Sequence, residues 1–138
     1  IERSPMLLVR AGGPHLLAVP LKLVSRIEEI AREAIELTAS HRVTQYRGRL
    51  MPLVALAEGV DQSAEPQTVL IFRKGEHLAG LMVDGVVDLV EDRVAIEVTS
   101  TRPGVLGTAI VAGQAMDIVD VDHWLKQAWA HLPDVTVG

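Results

Sequence analysis

Apolar residues along this chain come in short runs broken by Gly, Pro, Asp and Asn-like turn formers, a rhythm of strands rather than of helices. Residues 6–10 and 15–19 read as strands around the turn Ala11-Gly12-Gly13-Pro14, and Pro20 ends the second. Residues 43–46 and 50–56 form a second hairpin turned at Gly48. Residues 68–72 are almost wholly apolar and predict a strand buried on both sides; Lys74-Gly75-Glu76 turns it into 77–83. Two further short strands follow at 86–90 and 94–98, separated by Glu91-Asp92-Arg93. A last hairpin spans 106–111 and 115–120 around Ala112-Gly113-Gln114.

Two stretches depart from this rhythm. In 23–37 the residues Val24, Ile27, Ile30, Ala31, Ala34 and Leu37 fall at helical spacings, whereas the context of many short strands predicts a strand and then a short helical connection. Near the end, Asp120 or Asp122 can cap a helix whose apolar side is Trp124, Leu125, Ala128, Trp129 and Leu132, stopped by Pro133. About ten short strands and one helix predict small closed or half-closed barrels, because closure removes exposed sheet edges. Residues 58–66, rich in Glu, Gly, Asp, Ser and Pro, are the clearest internal loop. The expected division is one lobe over about residues 6–56 with 114–132 and a second over about 66–112, although no strict repeat marks it.

Composition narrows the function. The 138 residues are 49% hydrophobic and only 3% aromatic, so the interior is built from Val, Leu, Ile, Ala and Met, without stacking platforms for nucleic acid. A net charge of -5 with scattered basic residues lacks the cationic face that a polyanion requires. The absence of cysteine excludes disulfides and thiolate chemistry, and suits a reducing compartment. No apolar run is long enough for a membrane helix. The chain opens Ile1-Glu2-Arg3 without Met, in keeping with a piece cut from a longer protein.

Catalytic candidates are weak. The histidines at 15, 41, 77, 123 and 131 make no metal-ligand pair, and Asp84, Asp88, Glu91 and Asp92 do not follow a calcium-loop spacing. The glycines lack the phosphate-loop pattern and the serines a nucleophile elbow, so no catalytic residue, metal or cofactor is assigned. Arg47 and Arg49 flank the Gly48 turn. Either one reaches a partner carboxylate, or Arg47 pairs with an acid of its own chain and fixes the hairpin. Ile27 and Ile30 belong to the core or to an exposed docking patch.

Several segments, in order, resemble the CheW-like domain family: Leu16-Leu17-Ala18-Val19-Pro20-Leu21 with Val24-Ser25-Arg26-Ile27, and Tyr46-Arg47-Gly48-Arg49-Leu50-Met51-Pro52-Leu53. Gly80-Leu81-Met82-Val83-Asp84-Gly85-Val86 and Leu106-Gly107-Thr108-Ala109 through Val121 continue the likeness, which covers about residues 6–130. It is closest to the C-terminal regulatory domain of the chemotaxis histidine kinase CheA. Arg26 stands where the free-standing adaptor CheW often has an acid. The resemblance implies an all-β fold of two intertwined five-stranded SH3-like barrels, one mainly from the chain's ends and one from its middle, with a short C-terminal helix. It further implies a cytoplasmic, non-catalytic domain, reaching the membrane only through receptor arrays. Such a domain joins an ATP-dependent kinase to the CheW adaptor, to chemoreceptor cytoplasmic tips and to neighbouring domains of that kinase. A free-standing adaptor is the alternative, and a small enzyme on a barrel scaffold the distant third. Ile27, Ile30, Arg49 and Leu50 are the expected partner-binding residues; Arg47 and Gly48 are the expected structural centre of the hairpin.

Overall fold

The computed structural model describes residues 3–39 and 41–130, and these form twelve strands and one α-helix. β1 (Ser4–Arg10) and β2 (Leu16–Pro20) pair as the first hairpin. β3 (Arg26–Ile30), β4 (Ile35–Leu37), β5 (Arg42–Tyr46), β6 (Arg49–Ala55), β7 (Gln67–Lys74) and β8 (His77–Val83) follow. The chain ends through β9 (Gly85–Asp92), β10 (Val98–Thr99), β11 (Val105–Val111), β12 (Gln114–Val119) and α1 (Val121–Trp129). The stretch that carried a helical stripe is a strand, a single 3-10 turn at Arg32–Ala34 and a second short strand. Of the stripe, Val24 and Ile30 pack against the core whereas Ile27 and Leu37 are exposed, so the three- and four-residue spacing does not mark one buried face. The strand predicted at 86–90 extends through Glu91-Asp92, its last two residues, and of residues 94–98 only Val98 joins a strand.

Strand pairing makes two sheets, β10-β11-β12-β2-β1-β9 (barrel 1) and β3-β7-β8-β6-β5-β4 (barrel 2). In each, the two edge strands are consecutive in sequence. Residues 31–34 join β3 to β4, and residues 93–97 join β9 to β10. Connectors of four or five residues span at most about 18 Å, so opposite edges must meet and each sheet curls on itself. Closure is visible in two bonds across the seams: the Tyr46 hydroxyl of β5 donates to the Glu28 carboxylate of β3 at 3.4 Å, and the Ala112 N–H donates to the Asp92 carboxylate of β9 at 2.9 Å. The sixth strand in each sheet is a short piece, β4 of three residues and β10 of two, added to five longer strands.

The two barrels share one strand order. Barrel 2 runs β3 to β8 continuously; barrel 1 repeats the same pairings with β9, β10, β11, β12, β1 and β2 in the corresponding places, including one parallel joint in each, β6 with β8 and β12 with β2. Barrel 1 is thus a circular permutation of barrel 2. Residues 4–20 and 85–119 build barrel 1 and residues 26–83 build barrel 2. This differs from the expected lobe ranges, which placed 26–56 with the ends of the chain and 85–111 with its middle. Long-range pairing of β1 with β9, and of β3 with β7, decides the division, and no local signal reports it.

Burial follows from the topology. β1 has period-two sidedness: Met6 and Leu8 enter the interior of barrel 1, while Leu7 and Val9 face the core shared with barrel 2. β7 is buried from Gln67 through Phe72 because one face fills its own barrel and the other packs on its neighbour. The helix starts at Asp120, whose carboxylate accepts the His123 N–H at 3.4 Å. Val121 is buried, and Trp124 and Leu125 pack on the shared core. Trp124 Nε1 donates to the Gly104 carbonyl at 3.2 Å, and Trp129 Nε1 to the Leu78 carbonyl at 3.0 Å, so the helix ties to both barrels. His131 and Leu132 lie outside the described residues. No helix among the described residues is long and apolar enough to cross a membrane.

Candidate interaction surface

The β5–β6 hairpin closes on Arg47 (φ 52°) and Gly48 (φ 79°), with Tyr46 paired to Arg49 across the turn. Two successive left-handed residues match the right-handed twist of the flanking strands, the geometry of a two-residue hairpin loop. Glycine adopts it freely, but an arginine there is held against a penalty of about 1 kcal/mol. A compensating contact is present: the Arg47 guanidinium sits 5.2 Å from the centroid of the Tyr46 ring. Arg47 therefore has an internal partner, as one of the two readings required, and that partner is an aromatic face rather than an acid.

Arg49 extends the organisation beyond the hairpin. Its Nη1 donates to the Glu76 carbonyl at 3.0 Å, bringing the β7–β8 turn alongside. In that turn Arg73 Nε donates to the Gly75 carbonyl at 2.8 Å. At the start of β3, Arg26 Nε meets Glu28 Oε1 at 3.1 Å, and the Tyr46 hydroxyl lies 3.4 Å from the same oxygen. A depression of about 180 Å³ results, lined by Arg26, Arg47, Arg49, Arg73, Tyr46 and Glu76, with Ile71 and Leu78 beneath. Four of the chain's 13 basic residues thus converge on one end of barrel 2, although the whole chain is acidic. Arg26 and Arg73 were not selected from the sequence as site residues. They lie far apart in the chain, and only the pairing of Arg26 with Ile71 reveals their proximity.

The apolar candidates divide. Leu50, adjacent to Arg49 and on the opposite face of β6, is 64% exposed on the outer wall of the hairpin. Ile27 is 44% exposed, whereas Ile30 turns to the other face of β3 and packs against the core. Arg49 and Leu50 are therefore adjacent in the chain but on opposite faces of β6, Ile27 lies on the edge strand β3, and Ile30 contributes mainly to packing. The corresponding hairpin of barrel 1 carries a different chemistry. It turns at Ala112 (φ 50°) and Gly113 (φ 80°) beside the Asp92 carboxylate, and among the six strands of that barrel the only arginine is Arg10. Two guanidinium-rich turns are not a requirement of this topology.

The arginines of this surface are engaged with carbonyls, a ring and one carboxylate. Among the described residues, no three His, Cys, Asp or Glu side chains gather where a metal ion would sit.

Residues 5–129 match the CheW-like domain family. The chain belongs to that family. The solved structure of the scaffolding protein TtCheW from Thermoanaerobacter tengcongensis superimposes with a TM-score of 0.67, covering 86% of this chain and 89% of that one at 15% identity. At that identity the likeness establishes the fold, and the two curled sheets are those of a CheW-like domain. No curated protein matches the chain. CheW-like domains are non-catalytic scaffolds of chemotaxis signalling, and membership places this chain among protein–protein interaction modules.

Proposed function

We propose that this CheW-like domain is the regulatory coupling domain of a chemotaxis histidine kinase, and that the arginine-lined end of barrel 2 is a docking surface for carboxylates of a partner protein. The partners proposed are the CheW adaptor and, directly or through it, chemoreceptor cytoplasmic tips and neighbouring domains of the kinase. The observation that carries the docking surface is the contrast between equivalent hairpins of two barrels with one topology: Arg26, Arg47, Arg49 and Arg73 gather at one, and Ala112, Gly113 and Gln114 stand beside the Asp92 carboxylate at the other. Guanidinium groups read carboxylates in fixed geometry, and exposed Leu50 supplies apolar area on the outer face of the same hairpin. The kinase-borne reading rests on the sequence likeness at residues 18–21, 43–48 and 106–109 and on Arg26 in place of an acid.

Titration of the wild-type and Arg49→Glu domains against purified CheW adaptor and receptor-tip fragments tests the surface. Reversal of one charge at a complementary contact is expected to weaken affinity by about tenfold, roughly 1.4 kcal/mol, without lowering the melting temperature. Unchanged affinity for both partners removes Arg49 from the surface. The gene sequence flanking this chain separates the kinase-borne domain from the free-standing adaptor.

A further inference from the structure

The chain returns from barrel 2 to barrel 1 through a single residue, Asp84, between β8 and β9. Its backbone N–H donates to the Arg10 carbonyl at 2.8 Å. Its carboxylate then accepts from both sides: Oδ2 takes the Gly12 N–H at 2.7 Å, and Oδ1 takes the Asp61 N–H at 2.9 Å. Gly12 lies in the β1–β2 turn of barrel 1, and Asp61 in the connection that leaves β6 of barrel 2. Asp61 passes the order onward, because its own Oδ1 accepts the Ser63 N–H at 3.0 Å and the Ser63 hydroxyl at 2.7 Å.

Beside this carboxylate the two backbones touch. A Cβ on Gly59 would lie 2.7 Å from the Gly12 carbonyl oxygen, and one on Gly12 would lie 3.0 Å from the Gly59 nitrogen. Only glycine at both positions permits that approach, and Gly12 also sits at φ +80°. The contact forms one wall of a cleft of about 680 Å³ that reaches Arg102, Gly104 and Trp124 on its far side.

We propose that Asp84 is an inter-barrel latch, which fixes the angle between the barrels at this rim and with it the width of the cleft. The shared apolar core holds the barrels together, so the latch sets their relative orientation and not their association. Its bonds are short and charge-assisted, yet they face solvent, where water competes for each donor. A latch of this kind opens at modest free energy, which suits a domain that relays a mechanical state. The latch stands independently of what the arginine-lined end binds.

The absence of cysteine makes the test direct. Spin labels at Leu37→Cys in barrel 2 and Ile110→Cys in barrel 1, both exposed, report the inter-barrel distance by pulsed electron spin resonance. Asp84→Asn keeps one acceptor and loses the other. It is expected to broaden the distance distribution and to speed amide exchange at Gly12 or Asp61 by at least about tenfold, with β7 and β8 still protected. Gly59→Ala leaves the carboxylate intact but forces the backbones apart, and is expected to shift the mean distance. Faster exchange with an unchanged distance distribution overturns the proposal, because it confines Asp84 to ordering its own loops. Should Asp84→Asn fail to fold, an unchanged mean distance in Gly59→Ala overturns it equally.

Discussion

The two barrels of this domain have the same strand order, the same parallel joint and the same two-residue hairpin loop, yet they present different surfaces. Arg47-Gly48 and Ala112-Gly113 differ by only a degree or two in φ. In barrel 2 the loop projects a guanidinium over Tyr46 and is flanked by Arg49 and Leu50. In barrel 1 the loop is anchored, since Asp92 accepts the Ala112 N–H and the turn carries no charged side chain of its own. Backbone geometry is therefore set by the need to reverse two twisted strands, whereas the side chains at the loop are free to vary. Where they depart from the bland solution, at Arg47 and Arg49, the departure is what the proposed docking surface uses.

The largest expected effect separates the loops by charge. Arg49→Glu combined with Arg73→Glu is predicted to weaken adaptor or receptor-tip binding by about 2 kcal/mol, roughly thirtyfold, measured by calorimetric titration. Replacing Gln114 by Glu at the equivalent end of barrel 1 is predicted to leave that affinity unchanged. A comparable loss from both would erase the distinction between the ends.

The next effect tests what the loops have in common. Gly48→Ala and Gly113→Ala each place a Cβ in left-handed backbone with open space around it, so strain alone is at issue. Each is predicted to destabilise by about 1 kcal/mol, lowering the melting temperature by roughly 3–5 °C. Equal shifts in the two variants would show that the turns are energetically alike; a much larger loss for one would show that its flanks depend on the loop.

How far the sequence reveals this arrangement depends on the range of the interactions. Hairpins announce themselves locally: Ala11-Gly12-Gly13-Pro14, Arg47-Gly48, Lys74-Gly75-Glu76 and Ala112-Gly113 all turn where the residues demand it, and Asp120 caps the helix. Arg49 and Leu50 can be proposed from the sequence because they flank a turn. The partition into barrels was not, since it rests on β1 meeting β9 and β3 meeting β7 across long stretches of chain. The circular permutation is equally hidden, because two barrels need only the same pattern of inward apolar residues and share no repeat. Arg26 and Arg73 join the proposed surface only through that pairing. Ile27 and Ile30 show the converse limit. Helical spacing puts them on one side, but a strand sends them to opposite faces.

Smaller effects sharpen the contrast further. Tyr46→Leu retains bulk at the barrel mouth but removes the ring beneath Arg47, and is predicted to destabilise by about 0.5–1 kcal/mol in chemical denaturation. In barrel 1 the corresponding support is electrostatic. The Ala112 N–H, and then the Arg93 N–H, hold the Asp92 carboxyl below its ordinary value near 3.8. A depressed carboxyl in the folded state stabilises fully above the unfolded value. As pH falls through that value toward the lower folded one, the contribution is lost. Denaturation of wild type and Asp92→Asn is therefore predicted to differ at neutral pH and to converge below about pH 3.8, the ordinary value. A difference that persists undiminished in acid would assign the anchoring to something other than the charge.

The most direct measurement is a backbone amide shift map of the isotope-labelled domain titrated with unlabelled CheW adaptor and, separately, with a receptor-tip fragment. The account predicts perturbations concentrated at residues 46–50 and 73–77, the arginine-lined end of barrel 2, with residues 111–115 silent. Perturbations centred on 111–115, or none at 46–50 with either partner at saturation, would contradict it.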